Sequence, residues 1–458
     1  MSMYTQHRAQ ALEILIEERA AAVLFTHSLQ TRNHDCDFRF RPESTFWHQT
    51  GFAEPDSVLV LLPGPGPQPA GAGAPDDGDA ENTGPRSVLF LRPKDREKET
   101  WTGRRLGLEA APQALGVDEA HSVDELWTLL PKMLKGLARI VYRFGEDADR
   151  DRRMGGVARA LRAQARGGVE APLEWIDPAP LFHELRLFKG EAELALMRRA
   201  AELTAQGHAA AMGATAPGVS EAELDALIEY TFRRRGSTGC AYTNIVAGGE
   251  AACILHYVEN DAPLKDGELV LVDAGAEWDY YACDVTRTWP VNGAFNDEQR
   301  ALYEVVLAAE ETAIDAALPG VSFSTIHEAA LAVLVQGLLD LGLLSGNIDE
   351  ALASEDYKRF FMHKTSHWLG LDVHDCGAYA IDGEMRTLEP GMVFTVEPGL
   401  YVSADDESVE QRWRGIGIRI EDNVLVTEDG HEVLTAAIPK SVAAIEAAVG
   451  GELATVNS

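Results

Sequence analysis

Residues 272–293, VDAGAEWDYYACDVTRTWPVNG, decide how this chain is read. The stretch opens on the end of one apolar run, residues 268–273 (ELVLVD), and passes into another, residues 281–289 (YACDVTRTW). Both read as strands, and Gly275 with the polar segment to Asp279 turns the chain back as a hairpin. Asp273 ends the first strand and Asp284 falls in the middle of the second. An ionised carboxylate in an apolar strand is costly unless it is paired or bound to a cation. Two of them on adjacent strands also repel each other. A divalent cation removes both penalties.

The anomaly recurs further along. Glu397 closes residues 392–397 (MVFTVE), and Glu421 closes residues 416–421 (IGIRIE). Arg419 stands two residues before Glu421, hence on the same strand face, where it orients Glu421 or balances charge. Residues 362–375 (MHKTSHWLGLDVHD) place His363, His367 and His374 within twelve residues, with Gly370 allowing a bend. His256, in CILHY beyond Ala247-Gly248-Gly249, is a fourth candidate, whereas His7, His121 and His327 read as ordinary core or surface residues. Spacing alone does not choose His367 over His363 as a ligand. Four carboxylates and an imidazole without thiolate suit Mn²⁺, with Co²⁺, Fe²⁺ or Zn²⁺ possible by substitution. That is more carboxylate than one ion needs, and two bridged ions fit it better. Their chemistry is hydrolysis at neutral pH. No G-x-S-x-G elbow and no P-loop supports a competing reading.

Composition sets the frame. The chain has 458 residues with 40 basic and 73 acidic side chains, a net charge of −33. Such a field repels phosphate backbones and anionic lipid, which argues against nucleic-acid and membrane partners. No run approaches the roughly 18 uncharged apolar residues of a membrane span. Charges at Arg8, Glu13, Glu17, Glu18 and Arg19 interrupt any signal-peptide core. The five cysteines form no C-x-x-C pair, and a reducing cytoplasm suits them. A cytoplasmic protein is the expectation.

The length favours two domains, expected at residues 1–177 and 178–458, with the Asp177-Pro178-Ala179-Pro180 linker between them. The first reads as α/β: a helix over 10–21, strands over 22–25, 57–62, 87–91 and 138–144, and a helix over 146–165. Residues 63–85, rich in Gly, Pro and acid, read as an exposed, poorly ordered loop. The second reads as α+β, with helices over 192–212, 296–318 and 324–344, and another opened by a capping box at Ser220–Glu223.

These residues resemble the pita-bread metallopeptidases, and among them the aminopeptidase P (Xaa-Pro aminopeptidase) branch. The likeness runs through residues 272–293, SHWLGLDVHD, MVFTVEPGLYV and RGIGIRIEDN. Upstream it takes in AYTNIVAGGEAACILHY and, in the first domain, RNHDCDFRFRPESTFWHQTGF. It implies a creatinase-like α/β domain followed by a catalytic domain with a curved, pseudo-twofold antiparallel sheet. It also implies two divalent ions, Mn²⁺ by preference, on Asp273, Asp284, His367, Glu397 and Glu421, with Asp284 and Glu421 bridging. By the same likeness His256 and His374 stabilise the tetrahedral intermediate, Glu397 moves the proton, and a metal-bridging hydroxide attacks the carbonyl before proline. His363 lines the proline side of the pocket, and Tyr242 and Arg419 support the site. Peptides with an Xaa-Pro N-terminus are the implied substrates, and a homodimer or homotetramer the implied assembly. Residues 381–386 (IDGEMR), 404–413 and 63–85 depart from the family pattern, which bears on substrate length and not on the chemistry.

The nearest rival is a prolidase, which performs the same hydrolysis on dipeptides alone. SHWLGLDVHD sides with aminopeptidase P. An inactive binding module of the same fold is disfavoured because all five ligand positions carry ligand residues, and creatinase-type chemistry because it lacks them.

Overall fold

The computed structural model describes residues 2–64 and 84–451. Contacts divide the chain into Met1–Arg186 and Leu187–Ser458. The sequence reading put the boundary after residue 177. The intervening segment belongs with the first unit because Phe182, Leu181 and Leu185 pack into its core, whereas Leu187 packs into the second.

The first unit is a six-stranded mixed sheet. In spatial order its strands are Glu119–Ser122, Arg86–Leu91, Val58–Leu62, Ala20–Phe25, Arg139–Val141 and Glu174–Ile176. Apolar clusters lie on both faces: Leu24, Leu59, Leu61 and Leu89 on one, Val23, Val58, Val60 and Val88 on the other. Burial on both faces is why these strands read as continuous apolar runs instead of alternating ones. The expected helix over 10–21 is instead Met3–Glu18, capped by Ser2 and closed by left-handed Arg19 at φ 53°, so Ala20 and Ala21 begin the strand. The expected strand over 138–144 shortens to Arg139–Val141. Most of the expected loop over 63–85 lies outside the described residues.

In the second unit four long helices, Glu191–Ala214, Glu221–Arg234, Asp297–Asp315 and Ser324–Asp340, carry the apolar faces that pack on the strands. Ser220 opens the second helix with the expected capping box: its hydroxyl accepts from Glu223 N–H, and the Glu223 carboxylate accepts from Ser220 N–H at 2.9 Å. Among the described residues no helix is long and apolar enough to cross a membrane.

The site is positioned by two antiparallel strand pairs that break where the acidic residues fall. Leu269–Asp273 pairs with Thr286–Pro290, ending at Asp273 opposite Thr286, and pairing resumes at Glu277 opposite Ala282. Asp284 therefore sits in the break, not mid-strand. Its backbone is held by a side chain instead of a ladder: Asp284 N–H donates to Asn423 Oδ1 at 3.1 Å, and Asn423 Nδ2 donates to Asp284 C=O at 2.5 Å. Gly275 does not turn the chain, since the positive-φ residues are Asp279 and Tyr280. It stands opposite Asp284, and a Cβ there would lie 1.7 Å from the Cys283 carbonyl oxygen. In the second pair Val396 faces Asp422 and Gly399 faces Arg419. Continuing that register across the gap sets Glu397 opposite Glu421, each just beyond its strand end. This repetition is the pseudo-twofold relation expected of the sheet.

Candidate metal centre

The two breaks bring their acidic residues to one cavity of about 530 Å³. Its wall includes Asp273, Asp284, His367, Glu397 and Glu421, together with His256, His363, His374, Tyr242 and Arg419. Every site residue singled out in the sequence thus lines the same space. Ligand atoms of Asp284, His367 and Glu421 all lie within 4.8 Å of one another.

His367 shows why its ring serves this cluster. Its Nδ1 lies 3.0 Å from the Trp368 carbonyl, which can only accept, so Nδ1 keeps a proton. Nε2 is left facing Asp284 Oδ2 at 3.4 Å and Glu397 Oε1 at 3.6 Å. Burial lowers the His367 basicity, but the Asp284 and Glu397 carboxylates outweigh it and push its pKa up to about 9. His363 is placed differently. Its Nδ1 donates to Lys364 C=O at 2.7 Å and its Nε2 accepts from Tyr401 O–H at 2.9 Å. Both its nitrogens are thus engaged, and burial holds its pKa down at about 4. The His374 ring stands perpendicular to that of His367, with centroids 4.4 Å apart, and burial lowers its pKa. His256 is solvent-exposed on the same wall.

Arg419 ties the halves together. Its Nη2 donates to Asp273 Oδ2 at 2.7 Å, Nε to Thr286 Oγ1 at 2.9 Å and Nη1 to Tyr401 Oη at 3.1 Å. The Thr286 hydroxyl in turn donates a hydrogen bond to Glu421 Oε2 at 2.7 Å, and Tyr242 donates to Asp273 Oδ1 at 2.5 Å. Thr286, Tyr401 and Asn423 were not singled out in the sequence. Thr286 had a signal, for it lies two residues after Asp284 and so faces the same way. Nothing local marks Tyr401 or Asn423, whose roles depend on partners far along the chain.

The donor set fits divalent cations. Four carboxylates are gathered here, and the cations touching them are one guanidinium and one imidazole. Burial, followed by the Asp284, Glu397 and Asp273 charges, pushes the Glu421 carboxyl well above its ordinary range. Burial likewise raises Glu397 to about 7, although His367 and Arg419 pull it back. Burial raises Asp273 against the opposing pull of Arg419. Divalent cations would offset this excess, and the oxygen-rich, thiolate-free ligands suit hard or borderline metals.

Comparison with known proteins converges on the same region. The model of metallopeptidase family M24 matches residues 195–428, and that of the aminopeptidase P N-terminal domain matches residues 4–142. An Escherichia coli Xaa-Pro aminopeptidase is 44% identical over 96% of this chain and 96% of its own. The aminopeptidase PepP of Pseudomonas aeruginosa superposes with a TM-score of 0.90 at 43% identity, covering 97% of each chain. A zinc-substituted E. coli aminopeptidase P in complex with product gives a TM-score of 0.89 at 43% identity and 98% coverage of each.

Proposed function

The chain belongs to metallopeptidase family M24, and from that premise we propose that it releases the first residue from peptides with proline in second place. It is a metal-dependent hydrolase of the Xaa-Pro aminopeptidase type. The observation that carries the reading is the meeting of Asp273, Asp284, His367, Glu397 and Glu421 on one cavity wall. These five residues would hold two divalent ions, Mn²⁺ by preference, which when bound supply a Lewis acid for the scissile carbonyl and a nucleophilic water at neutral pH.

The chain's own groups do the rest. The substrate's free α-amine would dock at the metal site these residues form, which fixes cleavage to the first residue. Arg419 and Tyr242 hold both oxygens of Asp273, and Thr286 fixes one oxygen of Glu421. The cluster is thereby oriented before substrate arrives. Glu397, on the wall 3.6 Å from His367 Nε2, would accept a proton from the attacking water and return it to the proline nitrogen. His256 and His374 line the same space and are the donors available to the developing oxyanion. An imide bond offers no N–H to recognise, so proline must be read by shape. His363, its nitrogens satisfied by Lys364 and Tyr401, offers a flat ring for that purpose.

The test compares an Xaa-Pro-Yaa tripeptide with the matching Xaa-Pro dipeptide on Mn²⁺-loaded protein. Release of Xaa from the tripeptide supports the reading. Cleavage confined to the dipeptide makes the protein a prolidase, and cleavage of neither refutes the assignment.

A further inference from the structure

The cavity wall carries one side-chain cation that its surroundings leave unused. Arg419 is committed to Asp273, Thr286 and Tyr401. Lys364 lines the same cavity, and among the described residues its ammonium makes neither a hydrogen bond nor an ion pair. It also lines an adjoining hollow of about 240 Å³, bounded by His327, Glu355, Tyr357, Lys358, Phe361 and Met362. The other basic groups near that hollow are occupied: Lys358 pairs with Glu355 at 2.6 Å, and Arg359 with Asp406 at 2.5 Å. His363 and Lys364 thus line both spaces, joined by the His363 Nδ1 hydrogen bond to the Lys364 carbonyl.

Asp273, Asp284, His367, Glu397 and Glu421, with the ions they would hold, take the amino end of the peptide, and on the same wall the Lys364 ammonium has no partner among the described residues. A short peptide held there by its amine presents a carboxylate at its other end. Each residue advances the chain by at most about 3.5 Å, so the third residue stays within reach of the rest of a cavity of about 530 Å³. A protein of net charge −33 repels anionic peptides, and an unpaired cation here offsets that repulsion locally. We propose that Lys364 reads a carboxylate on the third residue of the substrate, either the terminal carboxylate of a tripeptide or an acidic side chain in a longer peptide. The proposal rests on the Xaa-Pro aminopeptidase reading and adds a charge preference to it.

The test uses metal-loaded full-length protein and three peptides: Ala-Pro-Ala as free acid, Ala-Pro-Ala amide and Ala-Pro-Glu amide. The readout is kcat/KM of each acidic peptide relative to the neutral amide, a ratio that stays informative even if a variant is less active overall. The wild type should favour a carboxylate-bearing peptide by about two- to fivefold at low salt, the size an exposed ion pair supports, and less at high salt. Lys364→Arg should keep the preference, Lys364→Met should bring the ratio to about one, and Lys364→Glu should invert it. An advantage confined to the free acid identifies the terminal carboxylate, and one confined to the Glu amide identifies the side chain. A wild-type ratio of one, or a preference that survives in Lys364→Met, overturns the proposal. Failure of the wild type to cleave any of the three overturns the function itself, which is a separate outcome.

Discussion

Replacing Glu421 by Gln should make the cation-free protein more stable while destroying its response to metal. The Glu421 carboxylate lies within 4.8 Å of ligand atoms of Asp284 and His367, and it is 2% exposed. Two like charges at that distance cost about 3.5 kcal/mol at an effective dielectric of about 20. Protonation caps the penalty: holding a carboxyl of ordinary pKa 4.5 neutral at pH 7 costs about 3.4 kcal/mol. Both routes cap the burden at about 3 kcal/mol, and the His367 imidazolium, equally near, lowers it. Gln keeps the shape and still accepts from the Thr286 hydroxyl, which reaches Glu421 Oε2 at 2.7 Å. The chelated variant should therefore melt above the chelated wild type at pH 7, by at most roughly 6–12 °C. The sign follows from the raised carboxyl. Its destabilising effect exists only above the ordinary value of 4.5, so the gap between the proteins should close as pH falls toward 4.5. Adding Mn²⁺ should raise the wild-type melting temperature strongly and the variant's little. A chelated variant no more stable than the wild type, or one with an unchanged metal shift, refutes the reasoning.

Three further predictions concern what holds the site in place. Arg287 and Asp422 form an ion pair at 2.7 Å with both side chains fully buried, so Arg287→Ala should cost about 3–5 kcal/mol in denaturant unfolding. Gly275→Ala, which puts a Cβ 1.7 Å from the Cys283 carbonyl, should part the strands beside Asp284. It should cost about 2–3 kcal/mol and weaken metal affinity in a titration, whereas Gly430→Ala, in open space without a left-handed backbone, should leave metal affinity unchanged. His208 is fully buried with Nε2 on the Ala274 carbonyl at 3.0 Å, and burial lowers its pKa from 6.5 to about 4. The unfolded chain then takes up the proton first, so stability should fall by about 1.4 kcal/mol per pH unit from 6.5 down to about 4. His208→Gln should remove that part of the pH dependence, read as the difference between the two unfolding curves.

What the sequence made legible was charge in the wrong place. Asp273, Glu397 and Glu421 stand at the ends of apolar strands, and that misplacement is visible without a structure because burial and ionisation conflict at each position. Asp284 was legible as a residue but not as a geometry. Its strand is interrupted because Asn423, 139 residues away, takes over the backbone hydrogen bonds. No local pattern records such a partner. The choice between His363 and His367 was equally hidden: it turns on whether Nε2 meets the Tyr401 hydroxyl or the Asp284 carboxylate. Element ends moved for a similar reason. Ala20 and Ala21 favour helix by propensity, yet left-handed Arg19 ends the helix and the sheet claims them. Gly370 stands at a bend, as its sequence context suggested, but what keeps the position small was hidden: a Cβ there would lie 2.1 Å from the Asp375 carboxylate.

The central claim is that the buried carboxylates exist to hold two metal ions. Divalent metal bound per chain, counted by elemental analysis after chelation and reloading with Mn²⁺, tests it most directly when release of the first residue from an Xaa-Pro peptide is followed on the same samples. The account predicts two ions per wild-type chain, activity that rises with their uptake, and loss of bound metal and activity together in folded Asp273→Ala and Glu421→Ala. A wild type that binds no ion, or an alanine variant that keeps both ions and full turnover, would contradict it.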